Sequence, residues 1–75
     1  MAKQRLGLQV KNHIAKYRKE ARLSQQELAD LITVSRKTIS TVETNRFTPS
    51  VIIALKIARQ FNTSVESLFE IEEHD

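Results

Sequence analysis

Few residues in this chain are suited to covalent or metal chemistry. There is no cysteine, and the two histidines, His13 and His74, stand at no metal-ligand spacing from other ligands. Glu72 and Glu73 are adjacent in an acidic tail and read as solvated charges rather than an acid–base pair. With a single glycine in 75 residues there is no glycine-rich phosphate loop. Serine and threonine are plentiful but fall at expected helix starts and on exposed faces. What remains is a basic pair, Arg36-Lys37, followed by the hydroxyls of Thr38, Ser40 and Thr41. Its chemistry is hydrogen-bond donation to an acceptor-rich partner. The chain therefore reads as a binding protein, not an enzyme, with no metal site and no cofactor.

Those residues need a scaffold, and the stretch 24–44 supplies one. Ser24 with Glu27 three residues on is a capping box, which predicts a helix from Gln25. Leu28, Ala29 and Ile32 share one face of it. Ser35 is a second N-cap, opening a helix in which Ile39 and Val42 face inward. Only Thr33 and Val34 separate the two, so the helices must cross steeply, as in a helix-turn-helix. The second helix leaves Arg36, Lys37, Ser40 and Thr41 outside.

The remaining elements close one domain over residues 1–75. A first helix is expected from Val10 or Lys11 to Ala21, with Val10, Ile14, Tyr17, Arg18 and Ala21 inward. Arg18 is out of place on that stripe, because a charge on a core face needs a partner. Asn45 suits the left-handed conformation that ends a helix. Ser50 caps a fourth helix running from Val51 to about Phe61, with Val51, Ala54, Leu55, Ala58 and Phe61 as its main stripe. Ser64 caps a last short helix from Val65 to Leu68 or Phe69. Residues 6–10 and 68–72 alternate apolar and polar, a pattern that fits a short two-stranded ribbon.

Charge is distributed unevenly. Residues 1–59 hold all 12 Lys and Arg against 4 acids, net +8, while residues 60–75 hold 5 acids and no base, net −5. A basic body suits a polyanion on one face, and the acidic tail 70–75 suits something else. No apolar run approaches the ~20 residues of a membrane span, and no signal peptide is visible, so the expected location is the cytoplasm.

The ordered motifs resemble the Cro and lambda-type repressor class of helix-turn-helix regulators, also called the xenobiotic-response-element class. They are Ile14…Tyr17-Arg18, Leu23-Ser24-Gln25-Gln26-Glu27-Leu28-Ala29, Val34-Ser35-Arg36-Lys37-Thr38-Ile39-Ser40, Glu43-Thr44-Asn45-Arg46, Pro49-Ser50 and Ala54-Leu55-Lys56-Ile57-Ala58. The resemblance runs from about Val10 to Phe69, and the length looks like that of the small dimeric repressors. It implies an all-α fold, a compact five-helix bundle, with the helix 36–44 in the DNA major groove. It implies that the inward Arg18 pairs with Glu43. One departure concerns the turn, where Thr33 stands in place of the family's usual glycine. That position takes positive φ, so either the turn is rearranged or strain is tolerated.

The resemblance also assigns roles at the DNA. Residues at the N-terminal end of a helix in the major groove reach base edges. Arg36 and Lys37 can donate to guanine O6 and N7, and Thr41 can meet a thymine methyl or a base. Gln25, Ser35, Thr38, Ser40, Asn45 and Arg46 are expected at the DNA backbone. Phe47 is expected to pack in the core under the Asn45-Arg46 loop rather than touch the DNA backbone. Two copies about a dyad would read an inverted-repeat operator, with Ile53, Ile57, Phe69 and Ile71 as candidates for the homodimer interface. The expected function is a transcriptional regulator, a repressor, binding double-stranded DNA. The rival is an antitoxin or adaptor whose acidic tail or apolar fourth helix docks a protein partner.

Overall fold

The computed structural model describes residues 8–46 and 48–73. In chain order the elements are β1 (Leu8–Asn12), α1 (Ile14–Glu20), α2 (Gln25–Ile32), α3 (Arg36–Glu43), α4 (Val51–Gln60), α5 (Val65–Leu68) and β2 (Phe69–Glu73). β1 and β2 form an antiparallel ribbon in which Val10 pairs with Ile71 and Asn12 with Phe69. The architecture is thus five helices and a two-stranded ribbon joining the ends of the described chain. The ribbon expected over 6–10 and 68–72 is seen shifted toward higher numbers. Residues 6 and 7, like Phe47 and His74, lie outside the described residues.

Serine starts four of the five helices. The hydroxyls of Ser24, Ser35, Ser50 and Ser64 accept the N–H of Glu27, Thr38, Ile53 and Ser67, respectively. Each satisfies one of the N–H groups that a helix start leaves without a partner. At Ser24 the capping box is complete, since the Glu27 carboxylate accepts the Ser24 N–H at 2.8 Å.

Four helices end in the same way, and without glycine. Arg22, Thr33, Asn45 and Asn62 all have φ between 53° and 62°. After α2 the Thr33 N–H donates to Asp30 O at 3.3 Å and the Val34 N–H to Ala29 O at 2.9 Å. This is the double bond pattern of a Schellman turn, repeated around Arg22, Asn45 and Asn62. Thr33 therefore keeps the left-handed backbone that favours glycine, with φ 61° and ψ 52°. The short turn is retained, and the β-branched side chain is carried at a cost of roughly 1–3 kcal/mol.

The first helix starts later than its apolar spacing suggests. The His13 N–H donates to Leu68 O at 2.8 Å, and the Ile14 N–H to Asn12 Oδ1 at 3.1 Å. With the backbone committed to β2 up to that point, Val10 belongs to the ribbon and is 39% exposed instead of inward. Ala21, also expected inward, lies beyond the helix end and is exposed.

The core is one cluster of Ile14, Leu28, Ala29, Ile32, Ile39, Val42, Ile57, Ala58 and Leu68. Tyr17, Leu23, Val34, Ile53, Phe61, Val65 and Phe69 pack around it. The face of α4 differs from the expected stripe. Val51 is 74% exposed and Leu55 49%, while Ile57 has no exposure at all. Ile57 is thus a core residue, and its side chain is not available to a second subunit. Lys56 reaches from α4 to donate to Ile32 O at 3.1 Å. It places a positive charge at the C-terminal end of α2, where the helix dipole favours one.

Candidate nucleic-acid interface

Only eight residues form α3, so its outward face is short. Ile39 and Val42 anchor it in the core. Arg36 and Lys37 follow directly after the Ser35 cap, are exposed, and make no ion pair among the described residues. The hydroxyls near them are already engaged. Thr38 Oγ1 lies 2.9 Å from Ser35 Oγ, and Thr41 Oγ1 donates to Lys37 O at 2.9 Å. Threonine and serine inside helices often bond back to the preceding turn in this way. The Ser40 hydroxyl, half-buried, has no side-chain hydrogen bond among the described residues, so the uncommitted donors on this face are Ser40 and the two cationic heads. Thr44, one turn after Thr41, is exposed on the same side, and helical spacing alone would have added it to the outward set.

The far end of α3 is held by charge. Arg18 Nε donates to Glu43 Oε2 at 2.7 Å and Arg18 Nη2 to Glu43 Oε1 at 3.2 Å, a two-pronged contact. The side chains are 12% and 6% exposed, so the pair is largely out of water. Gln25 Nε2 adds a third donor to Glu43 Oε1 at 3.0 Å, and Arg18 Nη1 spends a further proton on Leu23 O at 2.9 Å. One carboxylate on α3 thereby collects donors from α1 and from the start of α2. Gln25, expected to face the DNA backbone, has its amide turned to this network. Its backbone N–H and that of Gln26 stand in the first turn of α2, where N–H groups have no partner inside the helix.

Beyond α3, Asn45 is left-handed as expected, at φ 62°. The exposed Arg46 follows, with its N–H on Thr41 O at 2.9 Å. Asn12 and His13 are engaged residues that spacing did not single out. Asn12 bonds to the end of α3, and His13 Nε2 lies 3.1 Å from Glu70 Oε1. An asparagine just before an apolar-periodic run is a cap signal, and that was the available clue to Asn12. Of the residues proposed for a subunit contact, Ile53 and Phe69 are partly buried against the core, and Ile71 is 72% exposed.

The match that decides kinship is to the helix-turn-helix family model, which covers residues 14–68. The chain belongs to that family. It is a Cro/C1-type helix-turn-helix protein, and the family is one of non-enzymatic, DNA-binding transcriptional regulators. A helix-turn-helix transcriptional regulator of Methanothermobacter thermautotrophicus is 41% identical over 61 residues, spanning 80% of this chain and 88% of the relative. The regulator YgzD of Bacillus subtilis is 32% identical over 66 residues, spanning 88% of this chain and all of the relative (100%). Among solved structures, a DNA-binding protein from Bacteroides fragilis superposes with a TM-score of 0.72 at 26% identity, over 81% of this chain and 98% of that one. The restriction-modification controller C.AhdI from Aeromonas hydrophila gives a TM-score of 0.69 at 25% identity, over 73% and 83%. No helix among the described residues is long and apolar enough to cross a membrane.

Proposed function

We propose that this helix-turn-helix protein is a sequence-specific repressor that binds an inverted-repeat operator as a homodimer, with α3 in the major groove. The observation that carries the reading is the pair Arg36 and Lys37. They are exposed and without ion-pair partners among the described residues, on the first turn of a helix whose other end is locked by Glu43. A positive, unspent donor pair at the N-terminus of a rigid helix is what guanine O6 and N7 require. Thr41, with its hydroxyl bonded back, offers its methyl to thymine more readily than a hydrogen bond. Arg46, Asn45, Ser35, Thr38, Ser40 and the N–H groups at the start of α2 around Gln25 would hold phosphates on either side.

The homodimer reading draws on exposed apolar side chains. Val51, Ile52 and Leu55 lie on one side of α4 and are 74%, 66% and 49% exposed. They replace Ile57 among the candidates, beside Ile53, Phe69 and Ile71. A single copy contacts few bases, and a dyad of two would place the α3 helices about one turn of DNA apart. The similar C.AhdI is named a restriction-modification controller.

The test is selection from a random duplex pool at physiological salt, with the Arg36→Ala, Lys37→Ala double variant alongside. Enrichment of an inverted repeat by the unaltered protein alone is the expected result. Enrichment by neither protein would refute DNA reading and favour an adaptor whose acidic tail docks a protein.

A further inference from the structure

Asn12 closes β1 and is half-buried. Its Nδ2 donates to Val42 O at 2.9 Å and to Asn45 Oδ1 at 2.9 Å, with Glu43 O a longer 3.4 Å away. Its Oδ1 accepts the Ile14 N–H at 3.1 Å. An amide has two protons to give, and here both meet the end of α3 and the turn after it. Val42 and Glu43 are the last residues of α3, where carbonyls lack partners within the helix. Val42 O also accepts the Asn45 N–H at 3.1 Å, so the same carbonyl gathers the turn and the ribbon.

We propose that Asn12 is a positioning residue for DNA reading. It fixes the C-terminal end of α3 and the Asn45-Arg46 turn to the terminal ribbon, and so sets the tilt at which Arg36 and Lys37 are presented. The assignment rests on the DNA reading above. The lever is short: eight residues span ~12 Å at the helical rise, so a shift of ~1 Å at one end tilts α3 by about 5°. The Arg18–Glu43 pair restrains the side chain of Glu43, whereas Asn12 restrains backbone. The two holds come from different elements, α1 and α2 for Glu43 and the ribbon for the backbone.

Two variants separate this role from simple capping of α1. Asn12→Asp keeps the acceptor for the Ile14 N–H, and a carboxylate there suits the helix N-terminus, but both donors are lost. Asn12→Ala loses donors and acceptor together without adding charge. Each is compared with the unaltered protein on the selected duplex and on a scrambled one, at one salt concentration, after circular dichroism confirms folding. Amide hydrogen exchange at Asn45 and Arg46 is followed without DNA.

Both variants should lose about tenfold or more in affinity for the selected duplex, because recognition tolerates little looseness in its supporting contacts. Asn12→Ala should lose less than about threefold on the scrambled duplex, where phosphate contacts dominate. Exchange at Asn45 and Arg46 should quicken in both. Should Asn12→Ala melt below the assay temperature, Asn12→Asp with its retained cap carries the comparison. An Asp variant that matches the unaltered protein would reduce Asn12 to a cap and overturn the assignment. Failure of the unaltered protein to prefer any duplex would overturn the DNA reading, and this assignment with it.

Discussion

Removing the Glu43 carboxylate should be the most damaging single change on α3 that spares the apolar core. In Glu43→Ala the Arg18 guanidinium, only 12% exposed, loses two of its three hydrogen bonds and keeps Leu23 O alone. A buried charge stripped of its partner costs about 3–5 kcal/mol. A 75-residue domain has a stability of roughly 4–11 kcal/mol to lose it from. The melting temperature should therefore fall by about 12–40 °C, at about 4–8 °C per kcal/mol for a domain of this size. Glu43→Gln keeps the shape and an acceptor for Arg18 but not the charge, and should cost less, about 1–2 kcal/mol. Replacing both partners, as in Arg18→Met with Glu43→Leu, should recover much of the loss, since no uncompensated charge stays inside. The assay is thermal and urea unfolding of the unaltered protein, these three variants and Arg18→Ala, all at one fixed protein concentration. A change below about half a kcal/mol for Arg18→Ala or Glu43→Ala, the range of ordinary surface substitutions, would refute the reasoning.

Thr33→Gly should raise stability by about 1 kcal/mol, the relief of a β-branched residue at φ 61° less the extra freedom of an unfolded glycine; an unchanged or lower melting temperature would show that the turn carries no strain. Arg36→Ala should cost about 1–3 kcal/mol of operator affinity and relax specificity at one base pair. Arg46→Ala should weaken all duplexes alike and flatten the salt dependence; identical behaviour of the two variants would dissolve the division between base and phosphate contacts. Ile52→Glu, at a position 66% exposed, should leave the monomer folded and weaken self-association in analytical ultracentrifugation. A protein that stays monomeric at micromolar concentration with and without DNA would remove the dimer from the proposal.

Signals confined to a few neighbouring residues were the legible part. Each serine cap was readable because a cap needs one hydroxyl and the N–H three residues on. Arg18 was readable as an anomaly, since a charge on an apolar stripe must be answered somewhere. Naming Glu43 as the answer took the family resemblance. Phase was harder to read. In α4, seven of the eight residues from Val51 to Ala58 are apolar, so periodicity could not tell the buried Ile57 from the exposed Leu55. The start of α1 was obscured for another reason: Val10 fits both a period of two and a helical stripe, and the choice was made by β2, some sixty residues away. Asn12 carried a local cap signal but no sign of its partners at the end of α3, because that meeting is a product of the fold.

The ribbon bears on how the protein is made. Most contacts among the helices join segments close in sequence, but β1 and β2 join positions 57 or more residues apart. Closing so long a loop is the entropic step a folding chain meets late. During synthesis the helix-turn-helix leaves the ribosome before Phe69 does, and β1 has no strand to pair with until then. A chain interrupted after α4 would contain every residue proposed to touch DNA, yet its β1 would be a lone strand with a weakened grip on α3. A chain that lacks β2 is thus expected to hold the end of α3 less firmly than one in which the ribbon has formed.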